Sequence, residues 1–225
     1  MGIKLDLSYL YYLQKQYGLA RDVVYEGFKY FPRSIELWNR MGDIYFTTLK
    51  YSTASMFYFH ALEYGDSSAS TLKNIGICYY WQGEYDSAET YLRESVSQNS
   101  SDAISYYYLG LSYKEQKKFK DAINYFEQAS ALLRNDFLSN VYIQLAASYQ
   151  FSKKYQPALD FYKDALRENP DNKSMLFYIA SIYDNEIHDK SSAVFYYKKF
   201  IAESVKPDIK LINYSKERLS ILKGK

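Results

Sequence analysis

Residues of matched size and character return along this chain at a step of 34, and that period constrains the architecture more than any other property of the sequence. One place in the period is filled by Ser8, Gly42, Gly76, Gly110, Ala146 and Ala180, all small. Three residues later stand Tyr11, Tyr45, Tyr79, Tyr113, Tyr149 and Tyr183, and one residue earlier Leu7, Met41, Ile75, Leu109, Leu145 and Ile179. Further on, Ala20, Ala54, Ala88, Ala122, Ala158 and Ala193 share a place, each followed four residues later by Val24, Tyr58, Leu92, Phe126, Tyr162 or Tyr197. Two insertions shift the register, Phe137-Leu138 and one residue near 188–190. Six units follow: 1–34, 35–68, 69–102, 103–136, 139–172 and 173–207.

Within a unit, Tyr106, Leu109, Gly110 and Tyr113 fall at i, i+3, i+4 and i+7, as do Ala122, Tyr125, Phe126 and Ala129. Each set marks one face of an amphipathic helix, and the polar link 115–118 between them predicts two antiparallel helices joined by a tight turn. Boundaries such as 99–102 and 170–172 carry Pro, Asn, Asp and Ser that cap the next helix. The small positions let the two backbones approach where Gly110 faces Ala122, with Tyr113 and Phe126 expected to fill the space between successive hairpins. One hairpin cannot bury its apolar face alone, so the core belongs to the stack.

Beyond the last unit, Pro207-Asp208 opens a segment with Ile212, Ser215, Leu219 and Leu222 on one side and Lys210, Asn213, Lys216, Glu217 and Lys223 elsewhere. It predicts an amphipathic helix over 209–223, within a segment 208–225 that closes the open end. At the other end Tyr9, Leu10, Tyr11, Tyr12 and Leu13 leave the first helix without a polar face. Three readings stand there: self-association, a preceding segment, or tyrosine hydroxyls that suffice for solubility.

Several function classes are disfavoured. The 28 basic residues nearly balance 26 acidic ones, and no dense basic block is evident, so nucleic acid is not the expected partner. No run of about 18 apolar residues offers a membrane span. The opening MGIKLDLSYLYY lacks the parts of a signal peptide, giving a cytoplasmic expectation, or a periplasmic or secreted one where a signal has been removed. Cys78, the one cysteine, sits in an apolar stretch and reads as a small core residue. His60 and His188 have no second His or Cys in reach, and the Asp184, Glu186 and Asp189 near His188 read as a solvated turn with metal binding a remote alternative. No enzyme activity, cofactor or metal is expected.

The pattern resembles the tetratricopeptide repeat, whose signature is an aromatic, Leu-Gly, Tyr, Ala, an aromatic and Pro over 34 residues. Trp38, Met41, Gly42, Tyr45, Ala54, Tyr58 and Ala61 carry it in the second unit, and Leu72, Ile75, Gly76, Tyr79, Gly83, Tyr85, Ala88, Leu92 and Ser95 in the third. The fourth and fifth units fit as well, the fifth ending in Pro170. The first and sixth diverge, with Lys4 in place of the first aromatic and Phe200 in place of a small residue. The resemblance implies an all-α, right-handed superhelical solenoid of antiparallel helix pairs with a C-terminal capping helix, whose concave groove, lined by first helices, binds peptides or partner proteins.

Beside the packing stripe, the first helices present Asn39, Arg40 and Asp43; Lys73, Asn74, Ile77, Tyr80 and Trp81; Tyr107, Tyr108, Leu111 and Lys114; Ile143, Gln144 and Ala147; and Phe177, Tyr178 and Ser181. By the family's geometry these line the groove, aromatic in its middle and mixed in charge towards the first units. Family members that clamp a chaperone's C-terminal carboxylate resemble one another in five Lys, Asn and Arg positions. Here Lys73 fits the first, whereas Ile77, Tyr108, Asn140 and Gln144 fill the others without a cationic clamp. The expected function is therefore a non-enzymatic scaffold or adaptor docking a protein's peptide or helix in an aromatic groove. A glycan-binding module using the same aromatics is the alternative, and single-stranded RNA recognition a weaker third.

Overall fold

In the computed structural model, residues 2–133, 137–205, 208–222 and 224 are described, with side chains from Leu5 onward. The chain is all-α and forms two compact units, Met1–Gln116 and Lys117–Lys225. The first holds α1 (Gly2–Leu13), α2 (Tyr17–Phe28), α3 (Ile35–Thr47), α4 (Tyr51–Glu63), α5 (Ala69–Gln82), α6 (Tyr85–Gln98) and α7 (Ala103–Glu115). The second holds α8 (Phe119–Leu132), α9 (Phe137–Phe151), α10 (Tyr155–Glu168), α11 (Ser174–Ile182), a π-helical turn (Tyr183–Ile187), α12 (Lys190–Glu203) and α13 (Ile209–Leu222). Within each unit consecutive helices pack as antiparallel pairs, and a pair's second helix packs on the next pair's first, α2 on α3, α4 on α5 and α10 on α11 among them.

First and second helices start by different means. Ser34, Ser68 and Asp102 accept hydrogen bonds from the amides of Leu37, Thr71 and Ile104, each at 3.3 Å, and so cap α3, α5 and α7. The second helices α2, α4, α6, α8 and α10 begin at Gln16, Lys50, Glu84, Lys118 and Lys154 with no side-chain cap. Backbone closure of the preceding turn takes over. Lys15, Leu49, Gly83, Lys117, Lys153 and His188 all stand at positive φ, between 58° and 82°. The amides of Gln16, Lys50, Glu84 and Lys154 reach back 2.9 to 3.0 Å to the carbonyls of Tyr11, Tyr45, Tyr79 and Tyr149, a Schellman closure on the recurring tyrosine.

The small positions bring each hairpin's backbones together. Ser8 donates to the carbonyl of Ala20 across α1 and α2 at 3.0 Å. A Cβ on Gly42 would lie 2.6 Å from Cδ1 of Tyr58, and one on Gly76 would lie 2.6 Å from Cγ of Leu92. Tyr58 and Leu92, at the place in the period held by Phe126, therefore lie over the glycine of their own hairpin, and Tyr58 also packs with Ile75 and Cys78 of the next one. A ring pair also joins the two helices of a hairpin, Tyr79 stacked on Tyr91 at 5.7 Å, and Phe59 of the preceding pair meets it edge-on. Tyr149 stacks on Phe161 at 5.6 Å and Tyr183 on Tyr196 at 5.7 Å at the matching places of the second unit.

The two insertions have different fates. Phe137 and Leu138 open α9, whereas the extra residue near His188 is absorbed by the π-helical turn. Pro207, residues 134–136 and the side chains of Lys4 and Lys223 lie outside the described residues. Helix α13 lays Leu211, Ile212, Leu219 and Leu222 against Leu176, Tyr197 and Phe200. At the other end Leu10, Leu13 and Leu19 are exposed.

Candidate functional site

In the first unit the charged residues of the first-helix stripe are already partnered. Asn39 donates to Asp66 at 2.6 Å and accepts from Thr71 at 3.2 Å, tying α3 to the loop before α5. Burial opposes the Asp66 charge, but the hydrogen bonds from Asn39, Thr71 and Ser68 outweigh it and hold the carboxyl below its ordinary range. Lys73 pairs with Asp102 at 3.3 Å. Arg40 lies 3.7 Å from Asp43 and 4.9 Å over the ring of Tyr9. Burial pushes the Asp43 carboxyl up, against the Tyr58 hydroxyl that donates to it at 2.9 Å and the nearby Arg40. Asn74 lies beside that same hydroxyl.

Beyond this rim the stripe becomes aromatic. Trp81 stacks on Tyr51 with centroids 5.6 Å apart and planes 10° from parallel. Tyr80 stands edge-on to Trp81 at 5.3 Å and to Tyr108 at 5.4 Å, and Tyr108 meets Tyr107 at 5.6 Å. Trp81 remains 52% exposed. Burial pushes the Tyr107 hydroxyl up to about 12. Ile77 and Leu111, expected on the lining, are buried. Tyr51 belongs to a second helix, so a search confined to first helices misses it, although its position at the start of α4 puts it beside Trp81.

In the second unit Gln144, Tyr178 and the neighbouring Ile143, Ala147 and Ser181 line one cleft of about 580 Å³. Its wall is Tyr162 stacked on Tyr178 at 5.4 Å, with the Tyr162 hydroxyl 3.3 Å from Gln150. Phe177 lines the same cleft although largely buried, packed on Phe200 and met edge-on by Tyr214 of α13.

Two turns of this unit form a feature that the sequence alone does not predict. Phe119 stacks on Phe151 at 5.2 Å and 11°, and Lys120 and Lys154 line one cleft of about 550 Å³. The lysines of 117–120 and 153–154, separate in sequence, thus make one basic patch. The turn carrying Asp184 also differs from expectation. Asp184 is 6% exposed rather than solvated, and receives Nε and Nη2 of Arg218 at 2.8 and 2.9 Å and the Tyr197 hydroxyl at 3.2 Å. Asp189 caps α12 through the amides of Ser191 and Ser192. His60 leans on Trp38 at 4.5 Å with Nδ1 2.8 Å from Glu63. Among the described residues no three His, Cys, Asp or Glu converge as metal ligands. Cys78 is buried, and burial pushes its thiol up to about 12.

The sequence profile of the tetratricopeptide repeat matches residues 67–135 and 102–167. The chain is a tetratricopeptide-repeat protein. Several solved structures share its fold. The C-terminal part of a tetratricopeptide-repeat-containing protein from Cytophaga hutchinsonii superposes with a TM-score of 0.81 at 18% identity, over 97% of this chain and 87% of that one. The pilF protein of Pseudomonas aeruginosa gives 0.76 at 20% identity, over 96% of both chains. YrrB, described as having an unusual peptide-binding site, gives 0.66 at 15% identity, over 77% of this chain and 88% of that one. No curated protein sequence matches the chain. Tetratricopeptide-repeat proteins are scaffolds that generally serve protein–protein interaction and are usually non-enzymatic. Among the described residues no helix of this one is long and apolar enough to cross a membrane.

Proposed function

We propose that this tetratricopeptide-repeat protein is a non-enzymatic adaptor that docks a peptide or helix of a partner protein on its first-helix face, with Tyr51, Tyr80, Trp81 and Tyr108 as the central anchors. The observation that carries the reading is the exposure of Trp81 within a connected set of rings whose other members are held by one another. Rigid aromatic side chains bury large area at low entropic cost, which is how binding hot spots are built. The ion pairs Lys73–Asp102 and Arg40–Asp43 neutralise the rim, so the segment favoured here is apolar or aromatic at its centre and carries no required charge.

A peptide library displayed against the folded chain tests this. The selected sequences should share an apolar or aromatic residue, and their binding should fall at least about tenfold in a Trp81→Ala, Tyr108→Ala variant that keeps its helical circular dichroism. Selected peptides that bind the variant as well as the wild type would place the site elsewhere. Retention of oligosaccharides by the wild type alone, with no peptide selected, would favour a glycan ligand.

A further inference from the structure

We propose that the turn edge of the second unit docks on an anionic membrane surface, its lysines meeting lipid headgroups and Phe151 entering the interface. Phe151, which also lines the cleft beside Tyr178, is 64% exposed, and Phe119 backs it in a stack. Around this pair Lys117, Lys118, Lys120, Lys153 and Lys154 are all exposed. Lys117, Lys120, Lys153 and Lys154 have no ion pair among the described residues. The acidic groups close by are Asp121, exposed, Glu127, which accepts the Tyr149 hydroxyl at 2.9 Å, and Glu186, which lines a cleft with Phe151 and Lys153.

The placement of these lysines disfavours the isolated protein. Lys118 and Lys154 stand at the uncapped starts of α8 and α10, where the helix dipole is positive. Lys117 and Lys153 hold left-handed backbone that side chains disfavour. An anionic plane relieves the repulsion, and a bilayer also buries the Phe151 ring. The patch contains lysine and no arginine, which suits diffuse attraction to headgroups better than bidentate phosphate recognition in a nucleic acid. With Phe119 covering one face of Phe151, only one face is free to stack a base. An amphipathic combination of lysines with an exposed ring matches the chemistry of interfacial anchoring.

Vesicle flotation with the full chain tests the proposal separately from peptide docking. Vesicles of phosphatidylcholine with phosphatidylserine should float the protein, pure phosphatidylcholine should not, and about 1 M salt should release it. A lysine near an anionic bilayer contributes about fivefold in partitioning, so a folded Lys117→Gln, Lys120→Gln, Lys153→Gln, Lys154→Gln variant should lose about a hundredfold or more. Phe151→Ser should weaken flotation several-fold while keeping its salt dependence, and Trp81→Ala should leave it unchanged. Failure of the wild type to float with phosphatidylserine vesicles, or equal flotation by the quadruple variant, overturns the proposal. Tighter binding of the protein to polyglutamate or single-stranded RNA than to phosphatidylserine vesicles at matched charge would overturn it in favour of an acidic protein or a nucleic acid.

Discussion

Arg218 of α13 grips the buried carboxylate of Asp184, on the π-helical turn, through two hydrogen bonds of 2.8 and 2.9 Å. Removing the guanidinium leaves Asp184 buried with the Tyr197 hydroxyl at 3.2 Å as its remaining side-chain partner. Arg218→Ala should therefore destabilise the protein by about 3 kcal/mol or more, because an uncompensated buried charge costs more than the pair contributes. Urea denaturation measures the loss, and hydrogen exchange should show it concentrated in α13. A loss below about 1 kcal/mol would mean that water reaches the carboxylate freely.

The same pair predicts an acid limb. Arg218 hydrogen bonding holds the Asp184 carboxyl below its ordinary range, against burial. A depressed carboxylate contributes stability that is present above its unfolded value of about 3.9 and is lost as pH falls through the lower folded value. Stability measured below about pH 4 should fall less steeply in Arg218→Ala than in the wild type. Parallel curves would show that other carboxylates set the limb.

Two glycine substitutions should have opposite signs. Gly42→Ala places a Cβ 2.6 Å from the buried Tyr58 ring, and overpacking there should cost about 1 to 3 kcal/mol. Gly18 of α2 has nothing within 4 Å of an added Cβ, so Gly18→Ala should gain up to about 0.5 kcal/mol from helix propensity. Melting temperatures moving the same way in both would contradict the packing described for Tyr58.

Leu49 combines a φ of 60° with 70% exposure. Its side chain contributes little burial and opposes the left-handed backbone, so Leu49→Gly should stabilise by about 0.5 to 1 kcal/mol. The reverse change, Gly83→Leu at φ 82°, should cost a similar amount. Chemical denaturation of both variants checks the pair.

Trp81 offers a direct optical test of docking. In a Trp38→Phe background, a peptide selected on the chain should shift Trp81 emission to the blue as its exposed face is covered. Binding without any change in that emission would place the peptide away from the ring.

The helices and their pairing are legible in the sequence because a 34-residue period repeats the same packing problem six times, and the small residue at one place in each copy marks where two backbones must meet. The contact of Tyr58 with Gly42 is not legible, since periodicity gives the face of a helix but not that one ring serves both its own hairpin and the next. Ile77 and Leu111 read as lining because they adjoin the packing stripe, yet in a chain with apolar residues this wide around each helix the stripe extends over them. Asp184 reads as solvated because its neighbours are polar, and only the π-helical turn, which rotates it inward, makes it a partner for a residue 34 positions away. The lysine and phenylalanine patch is hidden for a simpler reason: it is assembled from two turns, each ordinary alone.

Among the described residues, the turns that join the two helices of a pair pass through six left-handed positions, one of which is glycine. Leucine, lysine and histidine hold the other five, all residues that would not choose that backbone unaided. Packing of the flanking helices and the closure onto each tyrosine carbonyl therefore impose the bend, and the side chain at its tip has no part in making it. Those tips are free lettering on a fixed frame: charge, aromaticity or a tether can be written there without disturbing the stack, and the same scaffold can be given a different address by changing them alone.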